Sequence, residues 1–300
     1  MQHRLSRVAL LLILVATFLS PRDGEAQIRA SERALVQQTV DGTVLTVDYA
    51  RPRARGRPQL FGGKEVVHWD EVWTPGANEA TTLRVSKPIR LNGHPVPAGK
   101  YSVWLVVREH GDWELLLDGD TTRFHTRRPK PDSAKVRFAV RPDSGAHMEV
   151  LTFAFTDVRS DGATLELGWG KLRLPLRIDV EPTIRRHVAR AEVEPYLGRY
   201  EIVWEWGNKK PVPFDVRFAA ADSTLRVDSR MEGSDGDEPE ELMLLPLGGA
   251  RFATAFLMNG DIGSADDELV LEFTTEDGRV TGFEIRSRHE SKPLARGRRK

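Results

Sequence analysis

The segment Trp69-Asp-Glu-Val-Trp-Thr-Pro-Gly-Ala-Asn-Glu-Ala-Thr-Thr82 gathers two tryptophans, an adjacent amide and carboxylate, and Pro-Gly turn residues into one short stretch. Glu79 offers an acceptor or a base, and Asn78 both a donor and an acceptor. Trp69 and Trp73 offer flat faces for stacking on a sugar or similar ring. Upstream, Arg51, Arg53, Arg55 and Arg57 alternate with proline, alanine and glycine. Arg51, Arg55 and Arg57 have the fork geometry to hold a carboxylate or phosphate. The same residues also have a purely architectural reading. Asn78 and Glu79 can satisfy backbone groups where Pro75-Gly76 turns the chain, both tryptophans can sit in the core, and the arginines can pair with surface acids.

Other chemistry is poorly supported by spacing. His68, His94, His110 and His125 show neither His-x-His nor His-Glu-x-x-His spacing, so no metal site is expected. Asp112, Asp118 and Asp120 lack the ordered alternation of a calcium loop and read as turn residues. There is no Gly-x-Ser-x-Gly motif for a serine nucleophile. The chain has no cysteine, which removes disulfides, thiolate metal sites, a cysteine nucleophile and a lipidated cysteine anchor. No cofactor is expected.

The elements that must position these residues are strands. Apolar residues recur at every second position through most of the chain, as in Leu165, Leu167 and Trp169. After Gly170 the apolar parity flips to Leu172, Leu174, Leu176 and Ile178, which predicts a turn or bulge at that glycine. Strands are expected at 44–49, 81–86, 101–107, 113–117, 136–140 and 149–158, with turns at Asn92-Gly93, Ala98-Gly99, Gly111-Asp112 and Asp161-Gly162. Alternation stops at Glu181-Pro182 and resumes near Arg199. Strands then follow at 199–206, 214–219, 224–229, 242–247, 252–256, 269–274 and 280–286, the last two joined around Asp277-Gly278.

The fold class expected is therefore all-β: an antiparallel β-sandwich, jelly-roll-like, over residues 27–184, then a smaller antiparallel β-barrel-like domain over 185–290. Residues 291–300, rich in Lys and Arg, read as a basic disordered tail, and the acidic run 235–241 as a solvated loop.

Residues 1–26 read as a secretory signal: Arg4 and Arg7 precede an apolar run from Val8 to Leu19, and Gly24-Glu-Ala26 precedes Gln27. That run is shorter than the roughly 20 residues a spanning helix needs. The expectation is an exported protein, periplasmic or extracellular, with no integral membrane segment after signal removal. The 44 basic and 44 acidic residues balance to a net charge of 0, so no nucleic-acid partner is expected.

The motifs Val47-Asp-Tyr-Ala-Arg-Pro52, Arg55-Gly-Arg57, Leu60-Phe-Gly62, Val72-Trp73, Gly76-Ala-Asn-Glu-Ala-Thr81 and Pro97-Ala-Gly-Lys-Tyr-Ser102 stand in a specific order. Over about residues 33–180 this pattern resembles the bacterial family known as domain of unknown function 2911. The resemblance implies an exported β-sandwich with no assigned activity. The family usually has Arg-Thr where this chain has Thr74-Pro75, so no arginine role is carried over there. Tyr196-Leu-Gly-Arg-Tyr200 and Gly278-Arg-Val-Thr-Gly-Phe283 more loosely resemble the lipocalin-like β domain appended to penicillin-binding-type serine hydrolases.

Three functional readings follow. The first is a non-catalytic binding module with its site at Trp69 to Thr82, taking a small molecule, a glycan or an envelope protein. The second is a hydrolase of unusual type, with Glu79 as acid or base and Asn78 and Arg51 or Arg57 stabilising an anion. It requires Glu79 partly buried and within reach of one of those arginines. The third is an envelope scaffold, whose sign is an exposed apolar patch or a sheet edge.

Overall fold

The computed structural model describes residues 29–62, 66–206, 210–229 and 240–300. The segment read as a signal, 1–26, and most of the acidic run lie outside the described residues.

Strands β1 (Arg33–Val40), β2 (Thr43–Ala50), β3 (Val72–Trp73), β4 (Thr82–Val85), β7 (Gly99–Val106), β8 (Trp113–Asp118) and β9 (Val136–Val140) form a seven-stranded sheet in the order β1-β2-β4-β7-β8-β9, with β3 on β7. Facing it is a four-stranded sheet, β10-β11-β5-β6, made of β5 (Ile89–Leu91), β6 (His94–Val96), β10 (Asp143–Arg159) and β11 (Gly162–Val180). All pairings are antiparallel. Alternate residues of each strand point between the sheets. Leu45, Val47 and Tyr49 of β2 join Leu165, Leu167 and Trp169 of β11 in one buried core.

Gly170 is the bulge that the parity flip predicts, within one long strand rather than between two. Its φ is +57°, and the register with β10 shifts on both sides of its Met148 partner. A β-carbon there would also lie 2.6 Å from Leu60 Cδ1, so glycine is required both by conformation and by close approach.

The second unit is a closed barrel of eight strands: β12 (Gly198–Trp204), β13 (Val212–Ala219), β14 (Thr224–Ser229), β15 (Glu240–Gly248), β16 (Arg251–Met258), β17 (Asp261–Glu276), β18 (Arg279–Ser287) and β19 (Ala295–Arg299). Phe214, Phe252, Phe273 and Phe283 fill it. A short helix and 3-10 turn over 190–196 cap one end, with Tyr196 stacked on Phe273 at 4.6 Å. Among the described residues no helix is long and apolar enough to cross a membrane.

The basic tail is where the expectation needs correction. Residues 291–300 do not trail off as a disordered end, because Ala295–Arg299 form the strand that closes the barrel between β12 and β18. Arg299 also donates to the carbonyls of Pro195 and Leu197, which holds the cap in place.

The two units meet through a polar latch. Asp261 at the start of β17 accepts from the backbone N–H of Ser160 at 3.1 Å and from its hydroxyl. Arg186 donates to the Ser160 carbonyl at 2.7 Å and pairs with Asp41 at 3.5 Å. Burial pushes the Asp261 carboxyl up, but the Ser160 hydroxyl and amide, the Ile262 amide and Arg186 outweigh it and hold the pKa below its usual value.

Candidate functional site

The loop from β3 to β4 carries the motif, and its buried hydroxyls explain its course. Thr74, only 1% exposed, donates from Oγ1 to the Val103 carbonyl at 2.9 Å and accepts from the Thr81 amide at 3.1 Å. Thr81, fully buried, donates from Oγ1 to the Pro75 carbonyl at 2.7 Å. A β-carbon on Gly76 would fall 2.9 Å from that hydroxyl, so the turn closes tightly only on glycine. The two threonines lock the loop ends together, and each bond satisfies a group that burial would otherwise strand.

Asn78 adopts φ +62°, a left-handed conformation that asparagine tolerates better than most residues. Its carbonyl accepts from the His125 amide at 2.7 Å and faces His125 Nδ1 at 3.1 Å. The Ala80 amide donates to the Arg123 carbonyl at 2.9 Å, and Glu79 forms a bridge with Phe124. Residues 78–80 therefore clamp the segment 123–125 as a short added pairing. Buried Asp118 grips the same segment from its other end, accepting from Arg123 Nε and the Asp120 amide, both at 3.0 Å. Asp120 in turn accepts from Thr122. The small apolar cluster of Ala80, Trp104, Val106 and Leu116 lies on this outer side of the sheet.

The two tryptophans of the motif face inward. Trp73 is 8% exposed and stacks on Trp169 at 6.1 Å with an interplanar angle of 15°. Trp69 packs against the same core and stacks on Phe61 at 6.5 Å. Phe61 further meets Trp113 and Trp169, so five aromatic side chains make one cluster. Gly62 lies against Trp69 so closely that a β-carbon would fall 2.1 Å from Nε1.

Of the three candidate arginines, Arg51 and Arg57 have side chains engaged with the chain itself, and the Arg55 backbone N–H donates to Glu149 Oε1 at 2.9 Å. Arg51 donates to the Leu151 carbonyl at 3.3 Å and to Thr152 Oγ1 at 3.0 Å on β10. Arg57 donates to the carbonyls of Ala54 and Arg53, at 2.8 and 2.6 Å. The whole basic run lies along β10, with Ala54 N–H on the Glu149 carbonyl and Leu151 N–H on the Pro52 carbonyl. Arg51→Met leaves the Leu151 carbonyl without this donor. Urea unfolding is expected to show a loss of about 1–2 kcal/mol at unchanged m-value.

Glu79 has different partners from those the hydrolase reading requires. Its carboxylate is half exposed and pairs with Arg29 at 3.3 Å and Arg33 at 3.6 Å. Arg33 also pairs with Asp48 at 2.7 Å. The backbone N–H of Glu79 itself, then Arg29 and Arg33, hold the carboxyl below its ordinary value of 4.5. It is therefore ionised at neutral pH and unsuited to act as an acid. Because the folded pKa is depressed, the stability it supplies is complete above pH 4.5 and is lost as pH falls through the folded pKa. Solvent screening at so exposed a pair limits this to less than about 1 kcal/mol. Thermal unfolding of Glu79→Gln and wild type is expected to show a small gap at pH 7 that closes in acid.

The structure thus brings Asn78 and Glu79 together with Arg29, Arg33, Phe124 and His125, and it separates them from the contacts made by Arg51, Arg57, Trp69 and Trp73. Phe124, 39% exposed, lies beside the His125 ring at 4.4 Å. The sequence reading missed Arg29, Arg33 and Phe124. Their only signal is register, since Arg29 lies 50 residues from Glu79.

Residues 31–178 match the family described as "Protein of unknown function (DUF2911)". This segment belongs to that family. The match covers the two-sheet sandwich almost end to end, and the motif loop, the arginine run and the aromatic cluster all fall inside the DUF2911 segment. No curated protein and no solved structure matches the chain.

Proposed function

We propose that the protein is a non-catalytic exported module that works by binding a protein partner, with the exposed side of the DUF2911 sandwich as the binding face. The observation that carries this reading is the position of Glu79. It is held ionised at the surface by Arg29 and Arg33, while Arg51 and Arg57 bond backbone carbonyls instead of meeting it. A hydrolase needs those groups to converge on one reacting atom. What the segment clamped by the motif presents outward is a half-exposed phenylalanine, Phe124, beside the His125 ring and bridged to Glu79, whose carboxylate holds Arg29 and Arg33. An aromatic anchor beside mixed charge is the composition of a protein-binding surface rather than of a small-ligand cleft. Export rests on Arg4 and Arg7, the apolar run from Val8 to Leu19 and the small residues of Gly24-Glu-Ala26 before Gln27.

A thermal-shift screen against sugars, inorganic phosphate, divalent ions and short peptides tests this reading, because any ligand of the native state raises its apparent stability. No concentration-dependent rise is expected from the small molecules or ions. A sugar, phosphate or ion hit that Glu79→Ala abolishes would restore a small-ligand site at the motif and overturn the proposal.

A further inference from the structure

Like charges set directly opposite each other on neighbouring strands are destabilising, and a charged side chain on a sheet surface is most stable facing its opposite. The other arginines of the sandwich strands are all held, from Arg33 on Asp48 and Arg90 on the Gly93 carbonyl to Arg137 on Glu114 and Arg177 on Asp179. Arg84 is the exception. On β4 it stands directly opposite Lys100 of β7, both side chains are exposed, and neither has a hydrogen bond or ion pair among the described residues.

No carboxylate is free to come between them. Leu83, Val85, Tyr101 and Val103 belong to the core, so Arg84 and Lys100 lie on the outer face of the large sheet. Along that row the next residues in register are Thr46 of β2 and Gln37 of β1, whose side chains bond each other at 3.2 Å and carry no charge. One step along the strands, Asp48 is held by Arg33 at 2.7 Å and buried Asp118 by Arg123 at 3.0 Å. Asp120, just past the end of β8, accepts from Thr122 and lies 3.6 Å from Arg123.

The same face exposes apolar surface. Leu35, 64% exposed, sits opposite Asp48, roughly 12 Å from Arg84 by strand spacing and rise. Arg33 and Glu79 connect Asp48 to Phe124. We infer, resting on the binding-module reading, that the partner protein is acidic where it docks: a segment whose carboxylates enter between Arg84 and Lys100, with an apolar side chain a few residues away that covers Leu35. The opposition of the two cations costs stability in the free chain and turns favourable once a carboxylate accepts from both. A phosphate polymer offers nothing to Leu35, and 44 basic against 44 acidic residues give no overall field to attract one.

Fluorescence anisotropy of a labelled peptide, Glu-Glu-Ser-Leu-Leu-Ser-Glu-Glu, titrated at low salt with the chain from Gln27 onward, tests this. Saturable binding that fades as salt is raised is expected, and the peptide with Gln in place of Glu is expected to bind about tenfold more weakly or worse. Arg84→Gln and Lys100→Gln are each expected to weaken binding about two- to fivefold. Arg298→Gln, which removes an exposed cation from the barrel, is expected to leave it unchanged. Lys100→Glu separates binding from architecture: it sets opposite charges face to face, so the peptide is lost while the melting temperature rises. No binding of the acidic peptide, equal weakening by Arg298→Gln, or a lower melting temperature in Lys100→Glu each overturns the proposal. So does displacement of the peptide by inorganic phosphate at equal concentration, which would make the pair a small-anion site. Failure here together with an empty screen of sugars, phosphate and ions leaves the binding module standing with a partner of other chemistry. A sugar, phosphate or ion hit lost in Glu79→Ala removes that reading itself.

Discussion

Deletion of residues 291–300 is expected to abolish folding of the barrel rather than trim a loose end. Strand β19 pairs with β12 from Tyr200↔Arg299 to Trp204↔Ala295 and with β18 from Gly282↔Arg298 to Ile285↔Ala295. Without it, two neighbouring strands lose their ladders and the phenylalanine core opens to water along one side. A loss of this kind equals the whole stability of a typical domain, about 5 kcal/mol or more. The point variant Gly297→Ala asks the same question at one atom. A β-carbon there would lie 2.3 Å from the ring of Phe283, which is 1% exposed and cannot step aside. Overpacking of this sort costs about 1–3 kcal/mol. Limited proteolysis and circular dichroism read both outcomes. A truncated chain whose barrel remains protease-resistant would show that β19 does not hold it closed.

Trp73→Ala is the second large effect. Trp73 stacks on Trp169 and meets the edge of Phe61 at 5.5 Å in the closed core, so its removal leaves a cavity that the four remaining rings cannot collapse to fill. Aromatic-to-alanine changes at such sites cost about 3–5 kcal/mol. A tryptophan that served as a ligand platform would lie open, and its loss would cost affinity instead of stability. Urea unfolding of Trp73→Ala separates the two, and a change below about 1 kcal/mol would favour the platform.

Much of the β architecture is legible from alternation because both sheets bury one face. Strand β11 shows this well: apolar residues before Gly170 and after it point inward in opposite parity, and the positive-φ glycine is the hinge of that flip. Five strands escaped, β1, β3, β5, β6 and β19; β3, β5 and β6 are only two or three residues long, too short for alternation to show, and the two longer ones have reasons of their own. In β19, Ala-Arg-Gly-Arg-Arg, the inward positions are Ala295 and Gly297, kept small by the Phe283 ring. With no large apolar side chain to mark its inner face, a closing strand looks like a basic tail. In β1, exposed Leu35 stands between Ala34 and Val36 and blurs the parity, as an edge strand can.

The motif loop was legible as a special place but not as a special purpose. Thr74 and Thr81 carry its buried hydrogen bonds, yet a threonine's burial cannot be read from its neighbours in sequence. Glu79 attracts notice as a carboxylate beside an amide, but its partners come from Arg29 and Arg33, placed by the sheet. Charge in the arginine run was plain; its direction was set by the carbonyls of Leu151, Ala54 and Arg53.

This motif is a structural corner whose charged residue sits at the surface, and urea unfolding of Thr74→Val beside Glu79→Ala is the test of that assignment. Thr74→Val strands the buried Thr81 amide and the Val103 carbonyl together, so a loss of roughly 1–3 kcal/mol is expected. Glu79→Ala removes an exposed ion pair and is expected to lose less than about 1 kcal/mol. The reverse order, with Glu79→Ala the more damaging and Thr74→Val nearly neutral, would mean that the motif is not a structural corner.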